Sequence, residues 1–283
     1  MTYCIYRTLE TMEFTQTKAQ LRFLANLEEP LVYIPSKGGG DATGHVGNYT
    51  MQEVDVHNGR IEKPNSCLDI EGFKLVQQKS EVQDFYNDLE IQTTYHDEVR
   101  SLLLAITGAA RVEIFDDTRR SSSLGTQKER NTRDPSDIVH NDYTAQSGVK
   151  RLQDYFSNDP DQAESAMQQR FAIVNVWRSI AGPIQNFPLV LCDSSTVESE
   201  DLVSVERRGE NRIGELQVAM QKPAQRWYYF PEMQMDEALL LKTFDSETDG
   251  RARFTIHSSF DDHTAPRDAA PRESLETRCF VFF

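Results

Sequence analysis

The stretch Phe171-Ala-Ile-Val-Asn-Val-Trp-Arg178 decides the fold class of this chain. Its β-branched and aromatic residues predict a strand, and further short strands follow it with turns between them. We place the predicted strands at Phe171–Arg178, Leu189–Cys192, Glu215–Met220, Arg226–Phe230, Ala238–Phe244, Arg253–Phe260 and Leu275–Phe283. Few helices interrupt this series, which argues against a doubly wound parallel sheet. The pattern predicts a mainly β fold, a sandwich or a barrel, with helices packed on its outside.

The chain before Phe171 predicts a mixture of helices and strands. Helices are expected at Thr15–Leu27, from the capping box Ser80-Glu-Val-Gln83, and at Asp97–Ile106, Ser147–Phe156 and Asp159–Gln169. Strands are expected at Leu31–Ile34, Ala110–Phe115 and Ile138–Tyr143. The sequence shows no boundary between domains. We therefore expect a single domain over residues 1–283, in which residues 1–106 support a β-core formed by residues 107–283.

Composition excludes several classes of protein. The chain has 283 residues with a formal net charge of −15, so an acidic surface would repel the phosphates of nucleic acids. No apolar run is long enough to span a membrane. Residues 1–14 carry charges through their apolar positions and lack the features of a secretory signal. The four cysteines are far apart and form no CxxC, which favours a reducing, cytoplasmic compartment.

The segment Asp116–Asp137 is rich in arginine and serine and has one large aliphatic residue, Leu124. Such a composition predicts a solvated loop. Two interpretations stay open, a plain surface loop and a cationic lid beside an anion-binding site.

His140 and Asp142 form the only His-x-Asp pair of the chain. Residues i and i+2 of a strand project from the same face, so an imidazole and a carboxylate would enter one cavity. A second histidine from a distant strand would complete a 2-His-1-carboxylate triad, which leaves positions on Fe(II) for a co-substrate and O₂. His257 lies in a strand-like segment and is the predicted third ligand. His263 competes with it, but follows two aspartates in a turn-like stretch.

Arginines near the last predicted strand suit the distal carboxylate of a 2-oxo diacid, because a guanidinium can grip a carboxylate with two parallel hydrogen bonds. We favour Arg272 over Arg278 as this anchor, since Ser274 follows two residues later and shares its face in a strand. Arg178 is also a candidate, because a charge inside an apolar strand usually has a partner. Trp177 is expected to pack in the core.

Several segments from Thr107 onward resemble one fungal family, that of gibberellin-desaturase-like, AsaB-like and CmcJ-like (cephem methoxylation) proteins. They are Thr107–Val112 with Phe115-Asp116, Val139–Tyr143, Asn175–Arg178, Pro188-Leu189 with Cys192-Asp193, Trp227–Pro231, Phe254–Phe260 and Pro271–Arg278. The chain departs from the family pattern at Asp116-Asp117-Thr118, where Phe-Asp-His-Thr is expected, so the substrate of relatives does not transfer.

The resemblance implies a double-stranded β-helix (jelly-roll, cupin-like) core and oxidation that depends on Fe(II), 2-oxoglutarate and O₂. It places His140, Asp142 and His257 at the metal positions and Arg272 or Arg278 at the co-substrate. Asn175 and Arg178 match a characteristic strand and are grouped with the co-substrate residues.

The leading hypothesis is therefore an Fe(II)/2-oxoglutarate-dependent oxygenase of fungal secondary metabolism that hydroxylates, desaturates or cyclises a small molecule. Two alternatives belong to other classes. One is a non-catalytic partner subunit of a small-molecule modifying enzyme pair. The other is a cupin-like hydrolase or isomerase that uses another metal at the same triad. The sequence carries no signal for the oligomeric state.

Overall fold

The computed structural model describes residues 15–210 and 213–283. Its strands are β1 Gln16–Leu24, β2 Val32–Ile34, β3 Gly44–Val46, β4 Tyr49–Asn58, β5 Phe73–Gln77, β6 Arg111–Ser121, β7 His140–Asn141, β8 Phe171–Ser179, β9 Leu189–Cys192, β10 Leu202–Arg208, β11 Ile213–Ala219, β12 Trp227–Tyr229, β13 Glu237–Asp245, β14 His257–Ser259 and β15 Glu273–Phe282. Its helices are α1 Gly59–Glu62, α2 Asp88–Glu90, a π-helical turn Ile91–Tyr95, α3 His96–Thr107, α4 Leu124–Arg130, α5 Ala145–Tyr155 and α6 Pro160–Met167, with 3₁₀ turns at Ser194–Thr196 and Ser199–Asp201.

The strands form two curled sheets that pack against each other. The larger sheet has the order β1-β4-β12-β9-β14-β7-β11-β10-β2-β3, and the smaller has the order β5-β13-β8-β15-β6. This is the predicted mainly β architecture with a jelly-roll core and flanking helices. Strands from the first part of the chain belong to both sheets, since β4 pairs with β12 and β5 pairs with β13.

Side chains alternate between the two faces of the smaller sheet. On β8, Trp177 points inward and joins a core that also contains Leu191 of β9 and Leu241 of β13. Val174 and Val176 point outward and pack under α3. The inner face therefore holds the interior between the sheets, and this interior contains the site described below.

Three expectations for the first half of the chain are wrong. Thr15–Leu27 is not a helix, because Ala19, Leu21 and Phe23 are buried at alternate positions of β1, which pairs with β4 over its full length. The polar residues Lys18, Gln20 and Arg22 alternate with these apolar ones, and this period of two is that of a half-buried strand rather than a helix.

The capping-box segment is not a helix start. The hydroxyl of Ser80 accepts a hydrogen bond from the backbone of Val82 and donates to Glu98 of α3. The helix begins instead at Asp88, and Asn87 caps it. Ser80 thus forms a turn that ties the connection to α3.

The segment Asp116–Asp137 is more ordered than predicted. β6 continues to Ser121 and pairs with β15 along its length, and α4 follows it. The alternation of β6 is masked by its charged residues, which find partners on β15.

Other elements are confirmed. α3 spans the predicted helix and ends at Gly108, whose φ of 68° is left-handed. Asp159 caps α6, and Pro160 is its first residue. No helix among residues 15–210 and 213–283 is both long and apolar enough to cross a membrane.

Candidate active site

Two histidines face each other across neighbouring strands of the larger sheet. His140 of β7 is the register partner of His257 of β14, and their ring centroids lie 4.5 Å apart. Asp142 follows β7 and places a carboxylate oxygen 3.7 Å from Nε2 of His140. One ligand atom from each of the three side chains lies within 4.8 Å of the others. The structure thus brings together all three predicted metal-ligating residues.

Backbone carbonyls orient both rings. Nδ1 of His140 lies 2.7 Å from the carbonyl of Ile138, and Nδ1 of His257 lies 2.9 Å from that of Thr255. These contacts assign the proton to Nδ1 and leave the Nε2 lone pair free for a metal. Burial, reinforced by the neighbouring His257, lowers the pKa of His140 to about 3. The ring is therefore neutral at pH 7, the form that binds metals.

Asp142 is held by two residues of the smaller sheet. Its Oδ2 accepts hydrogen bonds from Nδ2 of Asn175 at 2.8 Å and from Nε of Arg278 at 3.0 Å. Burial raises the pKa of this carboxyl, but Arg278, the two histidines and Asn175 outweigh it and keep the pKa well below its usual range. Two imidazoles and one anionic carboxylate are a donor set that suits a divalent transition metal.

Arg278 is saturated with carboxylates. Besides Asp142, it donates to Asp116 at 2.6 Å and to Glu276 at 2.6 Å. Those carboxylates raise its pKa well above the usual value, although burial opposes them. Arg278 therefore has no guanidinium edge left for a co-substrate and instead fixes the position of Asp142.

Arg272 differs, because no described residue forms an ion pair with it. It is 3% exposed, its Nε donates to Ser274 at 3.1 Å, and its Nη1 donates to the carbonyl of Phe187 at 2.8 Å. The guanidinium carbon lies 5.1 Å from the ring centroid of Trp177. Burial, together with the nearby Arg120, lowers the pKa of Arg272 to about 9. A buried cation without a counter-ion is well suited to an anionic ligand.

A narrow cavity joins Arg272 to the triad. Its lining includes both histidines, Arg272, Arg120 and Trp177. Trp177 thus packs in the core, as predicted, and also forms one wall of this cavity. A second cavity of about 220 Å³ opens on the other side of His140 and Asp142.

Asn175 and Arg178 lie on opposite faces of β8. Asn175 points inward, where Nδ2 also donates to Glu276 at 2.8 Å. Arg178 points outward, donates to Gln78 and packs over the rings of Tyr95 and Phe85 at 4.9 and 5.6 Å. Arg178 is therefore separated from the triad by the sheet. His263 lies in an exposed turn.

Several residues of the site escaped the sequence analysis. Glu276 accepts hydrogen bonds from both Asn175 and Arg278. The alternation of polar residues at 272, 274, 276 and 278 along a buried strand could have indicated that Glu276 faces the site. Arg120 was assigned to a solvated loop, because nothing local shows that β6 continues past Asp116. In the segment Asp116–Thr118, where the sequence departs from the family pattern, Asp117 contacts His96 at 2.7 Å and Asp116 lines the larger cavity.

Comparisons with known proteins agree with this geometry. A family model described as an oxidoreductase/YMDC permease-like domain matches residues 21–282. The hydroxylase/desaturase CTB9 of Cercospora beticola is 35% identical over 277 residues, which cover 88% of this chain and 84% of that protein. This chain belongs to the fungal hydroxylase/desaturase family.

Other relatives within the family carry more specific names. The Fe(II)/2-oxoglutarate-dependent dioxygenase nvfI of Aspergillus novofumigatus is 28% identical, over 91% of this chain and 92% of that protein. A solved structure of the iron and alpha-ketoglutarate-dependent endoperoxidase NvfI superimposes with a TM-score of 0.81 at 25% identity, over 95% of this chain and 98% of that one. These relatives of the hydroxylase/desaturase family give no support to a partner subunit or a non-oxidative metalloenzyme.

Proposed function

We propose that this chain is an Fe(II)/2-oxoglutarate-dependent oxygenase that acts on a small molecule in fungal secondary metabolism. The observation that carries the proposal is the cluster of His140, His257 and Asp142, in which one ligand atom of each side chain lies within 4.8 Å of the others. Two neutral imidazoles and a carboxylate on one side of an ion fit the facial triad of non-haem Fe(II) oxygenases. The names of the relatives supply the iron and 2-oxoglutarate dependence.

In the proposed site, His140, Asp142 and His257 would hold Fe(II). Bound there, the ion would supply, together with O₂ and 2-oxoglutarate, the oxidising chemistry for removal of hydrogen from the substrate. The protein contributes orientation. The carbonyls of Ile138 and Thr255 keep both Nδ1 atoms protonated, and Arg278 with Asn175 keeps the carboxylate of Asp142 charged and aimed at the same point.

Arg272 and Ser274 hold the distal carboxylate of 2-oxoglutarate in this proposal. Arg272 is supported over Arg278 because its charge is buried and without a carboxylate partner among the described residues, whereas Arg278 already binds three. The cavity that contains Arg272 also reaches both histidines, so one diacid can contact the arginine and the metal. Arg178 has no place in this site, and Asn175 acts by positioning Asp142.

The experiment is direct. The purified chain is mixed with Fe(II) and 2-oxoglutarate without O₂, and a weak visible charge-transfer band is expected. Admission of O₂ should then produce succinate. A protein that shows neither band nor succinate would contradict the proposal, and the same assay on His140→Ala distinguishes site-bound iron from iron bound elsewhere.

We propose that residues 1–283 form one domain, which the pairing of β4 with β12 and of β5 with β13 supports. A cytoplasmic location is supported by the unpaired thiols of Cys67, Cys192 and Cys279. The net charge of −15 supports the absence of a nucleic-acid partner.

A further inference from the structure

The larger cavity beside the triad carries an excess of positive charge. Its lining contains five arginines, Arg120, Arg133, Arg151, Arg207 and Arg278, against three acidic residues, Asp116, Asp142 and Glu215. Arg278 is neutralised by Asp116 and Asp142, and Glu215 accepts from the hydroxyl of Thr144 at 3.0 Å. The other four arginines form no ion pair with any residue of the described chain.

The backbone forces two of these charges together. Arg133 and Arg120 are partners in a parallel β-bridge, in which the amide of Arg133 donates to Arg119 and the amide of Ser121 donates to Arg133. Partners in a parallel bridge project from the same face of the sheet. Arg120 is occupied by the carbonyl of Asp134 at 2.7 Å and borders both cavities. Arg133, in contrast, lines only the larger of the two cavities.

Arg207 approaches the same cavity from the larger sheet. It is the register partner of Tyr33, whose ring stacks on His140 with centroids 6.1 Å apart. Arg151 enters from α5, where its guanidinium lies 4.6 Å from the ring centroid of Phe115. These arginines thus line the same cavity as His140 and Asp142.

This arrangement is unfavourable for the protein by itself. Arg133 is half-buried, and burial together with the like charges of Arg120, Arg278 and Arg207 outweighs the attraction of Asp116 and lowers the pKa of Arg133. Like charges gathered in a partly desolvated space destabilise one another unless an anion joins them. The chain has a net charge of −15, so this concentration of arginine is contrary to its overall composition.

We infer that the substrate of the proposed oxygenase carries a carboxylate, which binds Arg133 and Arg207 while the rest of the molecule lies over the triad. The inference rests on the proposed function and names the chemical class of its substrate. Guanidinium groups bind planar carboxylates with paired hydrogen bonds. Tyr33, Phe115 and Leu216 supply apolar surface for the remainder of the molecule. Arg133 and Arg207 do not line the cavity that contains Arg272, so this anion is distinct from 2-oxoglutarate.

The test uses two matched pairs of probes, 1-naphthoate with 1-naphthamide and benzoate with benzamide. The chain is loaded with Fe(II) and saturating 2-oxoglutarate without O₂, and each probe is titrated by calorimetry. At least one acid should bind about ten- to a hundredfold more tightly than its amide, as expected for a charge-assisted pair. This preference should largely disappear in Arg133→Gln and Arg207→Gln, while the affinity for the amide changes little.

Arg208→Gln is the matched control. Arg208 adjoins Arg207 on β10, but its side chain is 58% exposed and pairs with Glu206. This variant should keep the preference for the acid. Circular dichroism confirms that all three variants are folded.

The outcomes separate the two proposals. Absence of the visible band in the wild-type chain contradicts the proposed function. A normal band without a preference for either acid, or with the same preference in Arg207→Gln as in Arg208→Gln, contradicts only the inference. Competition between the preferred acid and 2-oxoglutarate also contradicts it, because the acid then occupies the Arg272 cavity.

Discussion

Nε of Arg278 donates to Oδ2 of Asp142 across 3.0 Å, a contact between the last strand of the smaller sheet and the residue that follows β7 of the larger sheet. The same arginine also binds Asp116 and Glu276. Arg272, six residues earlier, binds one hydroxyl and one carbonyl. The two arginines that the sequence offers as the co-substrate anchor thus differ in the hydrogen-bonding groups that remain free for a ligand.

The first prediction follows from this difference. Arg272→Lys keeps the charge but loses the paired hydrogen bonds, so the KM for 2-oxoglutarate should rise about ten- to a hundredfold, equivalent to roughly 1.5–3 kcal/mol. Fe(II) affinity should stay nearly unchanged. Arg278→Lys is the comparison and should weaken Fe(II) binding instead, because Asp142 loses its orienting partner. Steady-state kinetics with varied 2-oxoglutarate and varied Fe(II) separate the two effects, and the reverse pattern would move the anchor to Arg278.

The second prediction concerns the three ligands. His140→Ala, Asp142→Ala and His257→Ala should each abolish Fe(II) binding and turnover, because two remaining ligands hold the ion poorly. His263→Ala should be close to wild type, since His263 lies in an exposed turn. Metal analysis after gel filtration gives the stoichiometry of bound iron. Near-normal iron content in His257→Ala would remove that residue from the site.

Asn175 provides a third prediction, about a residue that positions a ligand. Asn175→Ala removes hydrogen bonds to Asp142 and Glu276, and loss of such a support typically lowers metal affinity about 10–100-fold. Chelator competition measures Fe(II) affinity, and thermal unfolding of the metal-free variant measures the structural cost. Asn175→Asp should be worse, because it adds a third carboxylate beside two others. Unchanged Fe(II) affinity in Asn175→Ala would show that Arg278 alone fixes Asp142.

A fourth prediction tests the packing of α5 against the core. A Cβ added at Gly148 would lie 2.2 Å from the ring of Phe244, which is fully buried. Gly148→Ala should therefore lower the free energy of unfolding by about 1–3 kcal/mol. Gly125→Ala in α4 is the matched control, because its nearest neighbour would be at 3.5 Å. Denaturant unfolding should show little change, or a slight gain, in the control.

The fifth prediction concerns pH and a buried ion cluster far from the triad. Asp245 binds Arg170 at 2.7 Å and Lys242 at 2.8 Å. Burial raises the pKa of this carboxyl, but the two cations outweigh it and the pKa is lowered. A lowered pKa stabilises the fold above about pH 4, where unfolded aspartate is ionised, and this stability is lost as pH falls through the folded pKa.

The test is Asp245→Asn. It should lower the free energy of unfolding at pH 7 by about 1.5–3 kcal/mol, because Lys242 and Arg170 each lose a charge-assisted hydrogen bond and keep only Asp69, among the described residues, as an ion-pair partner. The difference from wild type should shrink below pH 4. A difference that is constant from pH 3 to pH 7 would show that the charge of Asp245 contributes nothing to stability.

Much of the site is local in sequence and could be predicted. His140 and Asp142 are two residues apart at the end of β7, and Arg272 and Ser274 are two residues apart at the start of β15, so extended backbone places each pair on one face. His257 lies in an apolar strand-like segment. Most strands after Phe171 were also predictable, because turn residues separate them and their apolar runs are clear. β10 was not predicted, because three of its seven residues are charged, and the strand predicted at Arg253–Phe260 is formed only at His257–Ser259.

What the sequence analysis missed depends on contacts between distant segments. Charged residues of β1 and β6 are tolerated in strands because partner strands neutralise or cover them, as Arg278 of β15 does for Asp116 of β6. Four arginines of the larger cavity come from distant parts of the chain: Arg120 lies on β6, Arg133 follows α4, Arg151 lies on α5 and Arg207 lies on β10. No local sequence pattern connects these residues. Arg178 is a case in which the sequence suggested a site residue and the structure shows another role. Its charge lies on the outer face of β8, against aromatic rings and a side-chain amide.

The ligands of the triad are not anchored alike. His140 and His257 belong to paired strands of one sheet, whereas Asp142 is tethered to β8 and β15 of the other. The distances between the three donor atoms therefore depend on the distance between the two sheets at this point. A change that thickens or thins the interior, such as a smaller side chain at Trp177, alters that spacing without touching a ligand. The affinity for iron therefore depends on the distance between the two sheets as well as on the ligands themselves.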